Sequence, residues 1–423
     1  MEIFTAEADC KRTFTVSAPI FTPFYNEWGA NVYYQTQAFD RDPLRLWANS
    51  TPGSPVVLAQ GLFIGFLNAV GGRVAFDGVR TLTLSLEAGQ TVMICEGGDP
   101  YEAWEQYNAR FDTARPKEKF WNRLEYCTWV DQRRAAELTG RHGYDFITEK
   151  RVYAYMDRIE KLGLPKGKLT IDDGWSVLVD ESGRKCHGNW EIDRAKFPHF
   201  EQLIADMTER GYTPGLWFAP FSATRNSEIA LANPGLLTED YIPDRDQYFF
   251  NYDETVLRPY YHGLFERFIR IGIRKFKMDI AYGPKDLMIA LLRLMSEEIR
   301  AIDPTVEIES HMPDIFAVPY ADTVRLNDVS LEMRDWGYVT CGHFEVCRHS
   351  AAGRILNLDH IAGNSGLPTA QAYMKHWHLL RSFLLETESY PVISNLPDLY
   401  DEAVSRQFVE EVCALYDADG YRK

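Results

Sequence analysis

Hydrophobic and polar positions follow two different patterns along this chain. Up to about residue 115 the apolar residues fall in short runs separated by turn residues, at 32–36, 56–59, 62–66, 74–76 and 81–86. In the last of these, Leu82, Leu84 and Leu86 alternate with threonine and serine. Period-two runs at this spacing predict an antiparallel sandwich. Residues 100–107 then read as a connecting helix. After Pro116 strand-like runs alternate with stretches of helical period. Strands are expected at 124–130, 168–172, 213–218, 276–280, 306–310, 324–327, 338–340 and 390–394. Helices are expected at 148–162, 200–210, 260–271, 285–302 and 402–416, and 341–366 reads as irregular. About eight such units imply a parallel sheet closed on itself. The expected fold is α/β, a (β/α)8 TIM barrel over residues 116–423 preceded by a small N-terminal β-sandwich domain over residues 1–115.

Composition narrows the function. The chain has 423 residues, 13% of them aromatic, and a net charge of −16. Such a charge argues against nucleic acid or an anionic membrane as partner. No run is long and apolar enough to span a bilayer, and the acidic N-terminus predicts no secretory leader. Seven cysteines without a paired spacing fit reduced thiols, so a cytoplasmic location is expected. A homo-oligomer is compatible with all of this.

The candidate chemistry lies at the predicted strand ends, where barrels of this kind carry their active sites. Strand one ends at Trp129 and Asp131, strand two at Asp172-Asp173-Gly174-Trp175, and strand three at Trp217-Phe218. Strand four ends at Lys277 and Asp279, strand five at Glu309-Ser310-His311, and strand six at Arg325-Leu326-Asn327-Asp328. Carboxylates, indoles and two cations converging on one pocket suit glycoside hydrolysis: one carboxylate attacks the anomeric carbon and another protonates the leaving oxygen. Lys277, on the same strand face as Asp279, is expected to hold it ionised. Structural readings stand beside these. Lys277 and Asp279 could form an internal ion pair, Asp172-Asp173 a turn or helix cap, Trp217 part of the core, and Asp328 a loop carboxylate. Asp172, Glu309 and His311 could instead ligate a metal. His187, His343, His349 and His360 have no spacing that picks them out.

Asp172-Asp173-Gly174-Trp175, Gly215-Leu216-Trp217-Phe218-Ala219-Pro220, Lys277-Met278-Asp279 and the arginine-containing strand ending in Asp328, in that order, resemble the clan D glycoside hydrolases. The nearest resemblance is to glycoside hydrolase family 36, the α-galactosidases, which residues 227–234 also resemble. The resemblance implies a retaining enzyme that needs no metal or other cofactor and acts on an oligosaccharide or glycoside. It makes Asp279 the nucleophile and Asp328 the acid/base, the latter protonated at rest. Asp172 and Asp173 would bind distal hydroxyls, Trp175 or Trp217 would wall the pocket, and Lys277 would contact a hydroxyl. Trp129, Glu309, His311 and Arg325 complete the expected substrate-binding set. The family's glycine-rich loop after strand five is replaced by Ser310-His311-Met312-Pro313-Asp314, and its asparagine after the nucleophile by Ala281 or Tyr282. There is no clear C-terminal β-domain. Residues 190–198 also resemble the family 31 α-glucosidases. A barrel that binds sugar without turning it over is the reading from a different class.

Overall fold

The computed structural model describes residues 1–423 apart from 17–19, 22–33, 36–54, 70–71, 184, 243–245, 282, 327, 352 and 365–366. The N-terminal part holds two antiparallel sheets. One has six strands, in the order Glu2–Thr5, Thr91–Glu96, Leu62–Phe66, Val56–Ala59, Ile20–Phe21 and Tyr34–Gln35. The other has three, Cys10–Thr15, Thr81–Leu86 and Arg73–Phe76. Of the run predicted at 32–36, only Tyr34–Gln35 lies among the described residues. The alternation at 81–86 is realised: Leu82, Leu84 and Leu86 are buried against Phe14, Val74, Phe76 and Val92. The other face of the larger sheet meets the helix Pro100–Asn108 through Phe63, Met93, Trp104 and Tyr107, and that cluster reaches Ile315 and Val346 of the barrel. Gly65 is needed here, because a Cβ would lie 2.5 Å from the Tyr107 ring.

The barrel is closed by eight parallel strands. They are numbered β1 (Glu125–Cys127), β2 (Lys168–Ile171), β3 (Thr213–Phe218), β4 (Lys275–Met278), β5 (Glu307–Ser310), β6 (Thr323–Arg325), β7 (Ile355–His360) and β8 (Ser389–Ile393). Closure comes from Tyr126 of β1 opposite Ile393 of β8. The apolar residues of these strands face the outer helices: Phe276 packs on Phe218 and Phe265. Their polar residues face the barrel axis. No helix among the described residues is long and apolar enough to cross a membrane.

Three expectations are corrected. Strand one is shorter than 124–130, because a helix, Trp129–Thr139, starts straight after it. Residues 338–340 are helical, within Trp336–Ser350. Their β-branched and aromatic side chains read locally as strand, but Val339, His343, Val346, Cys347 and Ser350 are buried at helical spacing. The irregular reading of 341–366 likewise misses β7. A three-stranded sheet between β3 and the helix Glu254–Arg270 was also not anticipated; it consists of Ser222–Ala223, Leu237–Ile242 and Gln247–Phe250.

Candidate active site

The barrel axis carries charge at two levels. Lower down, Lys168 donates to Glu307 at 2.9 and 3.1 Å and to the Trp121 carbonyl at 2.7 Å. Lys275 bridges Glu125 and Glu309. Thr170 donates to Glu125, and Thr323 and Tyr390 donate to Glu307. All of these groups are fully buried. Charges removed from water persist only when paired and hydrogen-bonded, and each one here is. Burial pushes the Lys168 ammonium down to about 8, against the pull of Glu307.

Above this layer, the C-terminal ends of β4, β5 and β6 bring Asp279, His311 and Arg325 to one point. Asp279 follows β4, and the chain turns there through Ile280 in the left-handed region (φ 58°). That conformation costs a β-branched residue roughly 1–2 kcal/mol. Asp279 Oδ1 accepts three hydrogen bonds, each of 3.0 Å, from Arg325 Nη2, His311 Nδ1 and the Ile280 amide. Among the described residues, Oδ2 accepts from the Trp217 indole alone, at 2.9 Å. The Ala281 amide donates to His311 Nε2 at 3.3 Å, so the imidazole proton sits on Nδ1, facing Asp279. Burial acts to raise the Asp279 pKa, but Arg325 and then His311 outweigh it and hold the carboxyl well below the usual range. Lys277 contributes less than either. It acts in the expected direction, and its own hydrogen-bond partner is Asp172, at 2.7 Å.

Arg325 is the hub. Besides Asp279, it donates through Nη1 to Asp328 at 3.0 Å and to Asp359 at 3.3 Å, and its Nε lies 3.4 Å from Glu309. Asp328 remains partly exposed, with 36% of its side chain accessible. Burial would raise its pKa, but Arg325 outweighs this and sets it at about 2. The resting carboxyl that is raised well above the usual range is Asp359, by burial and by the adjacent Asp328. This reverses the expectation of a protonated Asp328. Asn327, at the predicted end of strand six, lies outside the described residues.

The second-strand motif supplies a wall. Asp172 accepts from Lys277, from the Cys127 thiol and from the Asp173 amide. Gly174 (φ 108°) is forced, since a Cβ there would come within 2.3 Å of the Tyr144 carbonyl. Asp173 and Trp129 line a cleft of about 540 Å³ with Arg133, His142 and Tyr144. Trp129 is anchored to Asn364 by its indole at 2.8 Å. Asp131 instead turns to Arg151 and Arg158.

Two expected contacts are displaced. Trp175 is fully buried between the barrel and the outer helices, against Phe200, Phe218 and Phe268, and donates to the Trp217 carbonyl. It is core rather than pocket wall; Trp217, also buried, meets the site through its indole on Asp279. Glu309 is fully buried and held by Lys275, Arg325 and Asn357, so it reaches the site only through Arg325. Asp172, Glu309 and His311 form no metal-sized cluster; among the described residues the group that does is Asp328, Asp359 and His360. The sequence reading missed Asp359, His360 and Asn357. Their signal was the alternation of Leu356 and Leu358 with Asn357 and Asp359.

Residues 126–269 match the melibiase family model. That stretch, from β1 to the helix Glu254–Arg270, resembles the melibiase family. Solved structures agree on the fold. An α-galactosidase from Thermus thermophilus, in complex with p-nitrophenyl α-D-galactopyranoside, is 16% identical, with 97% of this chain and 91% of that one covered and a TM-score of 0.68. A family 36 α-galactosidase from Geobacillus stearothermophilus, in complex with raffinose, is 15% identical, with 96% of this chain covered and a TM-score of 0.64; this chain spans 62% of its length. A family 31 dextranase from Flavobacterium johnsoniae, complexed with glucose, is 11% identical, with 98% and 55% covered and a TM-score of 0.67.

Proposed function

We propose that this melibiase-like barrel is a retaining exo-α-glycosidase acting on α-galactosides. The observation that carries the reading is the one guanidinium, Arg325, that joins Asp279 and Asp328 at 3.0 Å each. Asp279 Oδ1 is saturated with donors, which leaves Oδ2 to attack the anomeric carbon and form a glycosyl ester. Asp328, the more exposed of the pair, stands on the open side, where it protonates the departing oxygen and then deprotonates water. Asp172, Asp173 and Lys277 bind ring hydroxyls, and Trp217 walls the sugar. The galactoside and raffinose complexes of the neighbours support an α-galactosyl substrate of oligosaccharide type. All seven cysteines are unbridged, which supports a reducing, cytoplasmic setting.

The test is turnover of a panel of aryl α- and β-glycosides by the wild type and by Asp279→Asn. Release from α-galactoside that the substitution abolishes, with a fluorosugar inactivator trapped on the Asp279 peptide, is the expected result. Labelling of another carboxylate, or inversion at the anomeric carbon, would sink it. The dextranase likeness favours one second reading, an α-glucosidase, which activity on α-glucoside in the same panel would select.

A further inference from the structure

Asp359 and His360 are neighbours in sequence, yet both reach Asp328: single ligating atoms of the three lie within 4.8 Å of one another. Adjacent residues of a regular strand point to opposite faces. Here the register of β7 shifts between Asn357 and His360, and Asp359 takes φ 63°. This is a bulge that re-aims both side chains at the mouth, the usual use of such an irregularity beside a functional site.

The three aspartates around Arg325 are supplied very unequally. Asp279 has four hydrogen-bond donors. Asp359, buried, shares Arg325 Nη1 with Asp328 through Oδ2, while its Oδ1 has no hydrogen-bond partner among the described residues and lies 3.6 Å from His360 Nε2. A buried carboxylate oxygen without a donor, facing a second carboxylate, is where a proton is held. The other groups facing Asp359 are Arg325, Lys277 and His360. His360 is not the proton holder: burial, then Lys277, push it down to about 3, and its Nδ1 is tied to Ser394.

We propose that Asp359 holds the proton of the acid/base step and exchanges it with Asp328, so that the two carboxyls act as a dyad with one proton between them. The inference rests on the glycosidase reading above. In the first half-reaction the single proton passes from Asp359 to Asp328 and on to the leaving oxygen, and both carboxyls end ionised. In the second, Asp328 takes a proton from the attacking water and the pair regains its single proton. Asp359 therefore acts through Asp328 as a positioning residue.

Two measurements test it. The first needs no turnover. Carbon-13 NMR of the wild type labelled at aspartate carboxyls is expected to show a protonated carboxyl around neutral pH that disappears in Asp359→Asn. A wild-type spectrum without that resonance overturns the proposal, even if the protein is a glycosidase. The second compares α-glycosides with poor and good leaving groups, for whichever sugar the wild type turns over. Asparagine tolerates the left-handed backbone at this position, so Asp359→Asn is the suitable variant. It is expected to slow the poor leaving group by at least about tenfold, to leave a glycosyl fluoride nearly unchanged, and to move the alkaline limb of kcat/KM acidward by about one unit or more. Equal losses on both substrates with an unmoved limb would mean a structural role only. Failure of the fluorosugar to label Asp279 would instead strike the glycosidase reading, with the NMR result still deciding where the proton sits.

Discussion

The lower barrel and its mouth are both built from carboxylates and cations and differ in closure. Below, Lys168, Lys275, Glu125 and Glu307 are sealed from water and paired with one another. Above, Arg325 gathers Asp279, Asp328, Asp359 and Glu309, four carboxylates on one guanidinium, and two of the four stay partly open. Paired charge in the sealed layer fixes the strands against each other. Unbalanced charge in the open layer is available for chemistry, because a substrate can complete it. The difference predicts which changes cost activity and which cost stability.

The largest expected effect is at the mouth. Asp279→Asn should lower kcat/KM by about ten-thousandfold or more while leaving the urea unfolding free energy within about 1 kcal/mol of the wild type. Loss of both together would make Asp279 a structural carboxylate. In the sealed layer the reverse should hold. Lys275→Met strands Glu125 and Glu309 in the barrel axis, and should cost about 3–5 kcal/mol in chemical denaturation; an unchanged midpoint would show that water relieves the layer.

Glu309 belongs to both regions and reports on pH. Burial works to raise its pKa, but Lys275 and Arg325 bring it from 4.5 to about 2. A depressed carboxylate contributes stability that is fully present above its unfolded value and is lost as pH falls toward the folded one. Unfolding free energy measured from neutral pH downward should therefore fall through the window from 4.5 to about 2, and less steeply in Glu309→Gln. The smallest effect is expected from Trp217→Phe, which removes the indole donor from Asp279 Oδ2. A loss of about tenfold in kcat/KM is expected, with stability little changed; no loss would mean that Oδ2 is not the working oxygen.

The chain's own periodicity determined most of the barrel. The helix at 285–302 and the strand at 213–218 coincide with the structure, because Leu291, Leu292, Leu294, Met295 and Ile299 recur at helical spacing and the strand is a continuous buried run. The charged ends of β2, β4, β5 and β6 were legible too, since in each a carboxylate or cation closes an apolar run. Trp175 was misplaced because an indole after Asp172-Asp173 can face the axis or the helices, and only packing against Phe200 and Phe268 decides. The joint placement of Asp359 and His360 was out of reach for a firmer reason. Their convergence on Asp328 needs a register shift and a positive φ, neither of which leaves a trace in a pattern of hydrophobic and polar residues. The sequence by itself determined every barrel strand except β7 and the charges that lie on those strands. The tertiary structure alone decided which charges meet, because pairing across a closed barrel joins residues more than a hundred positions apart, as Lys277 joins Asp172 and Lys275 joins Glu125.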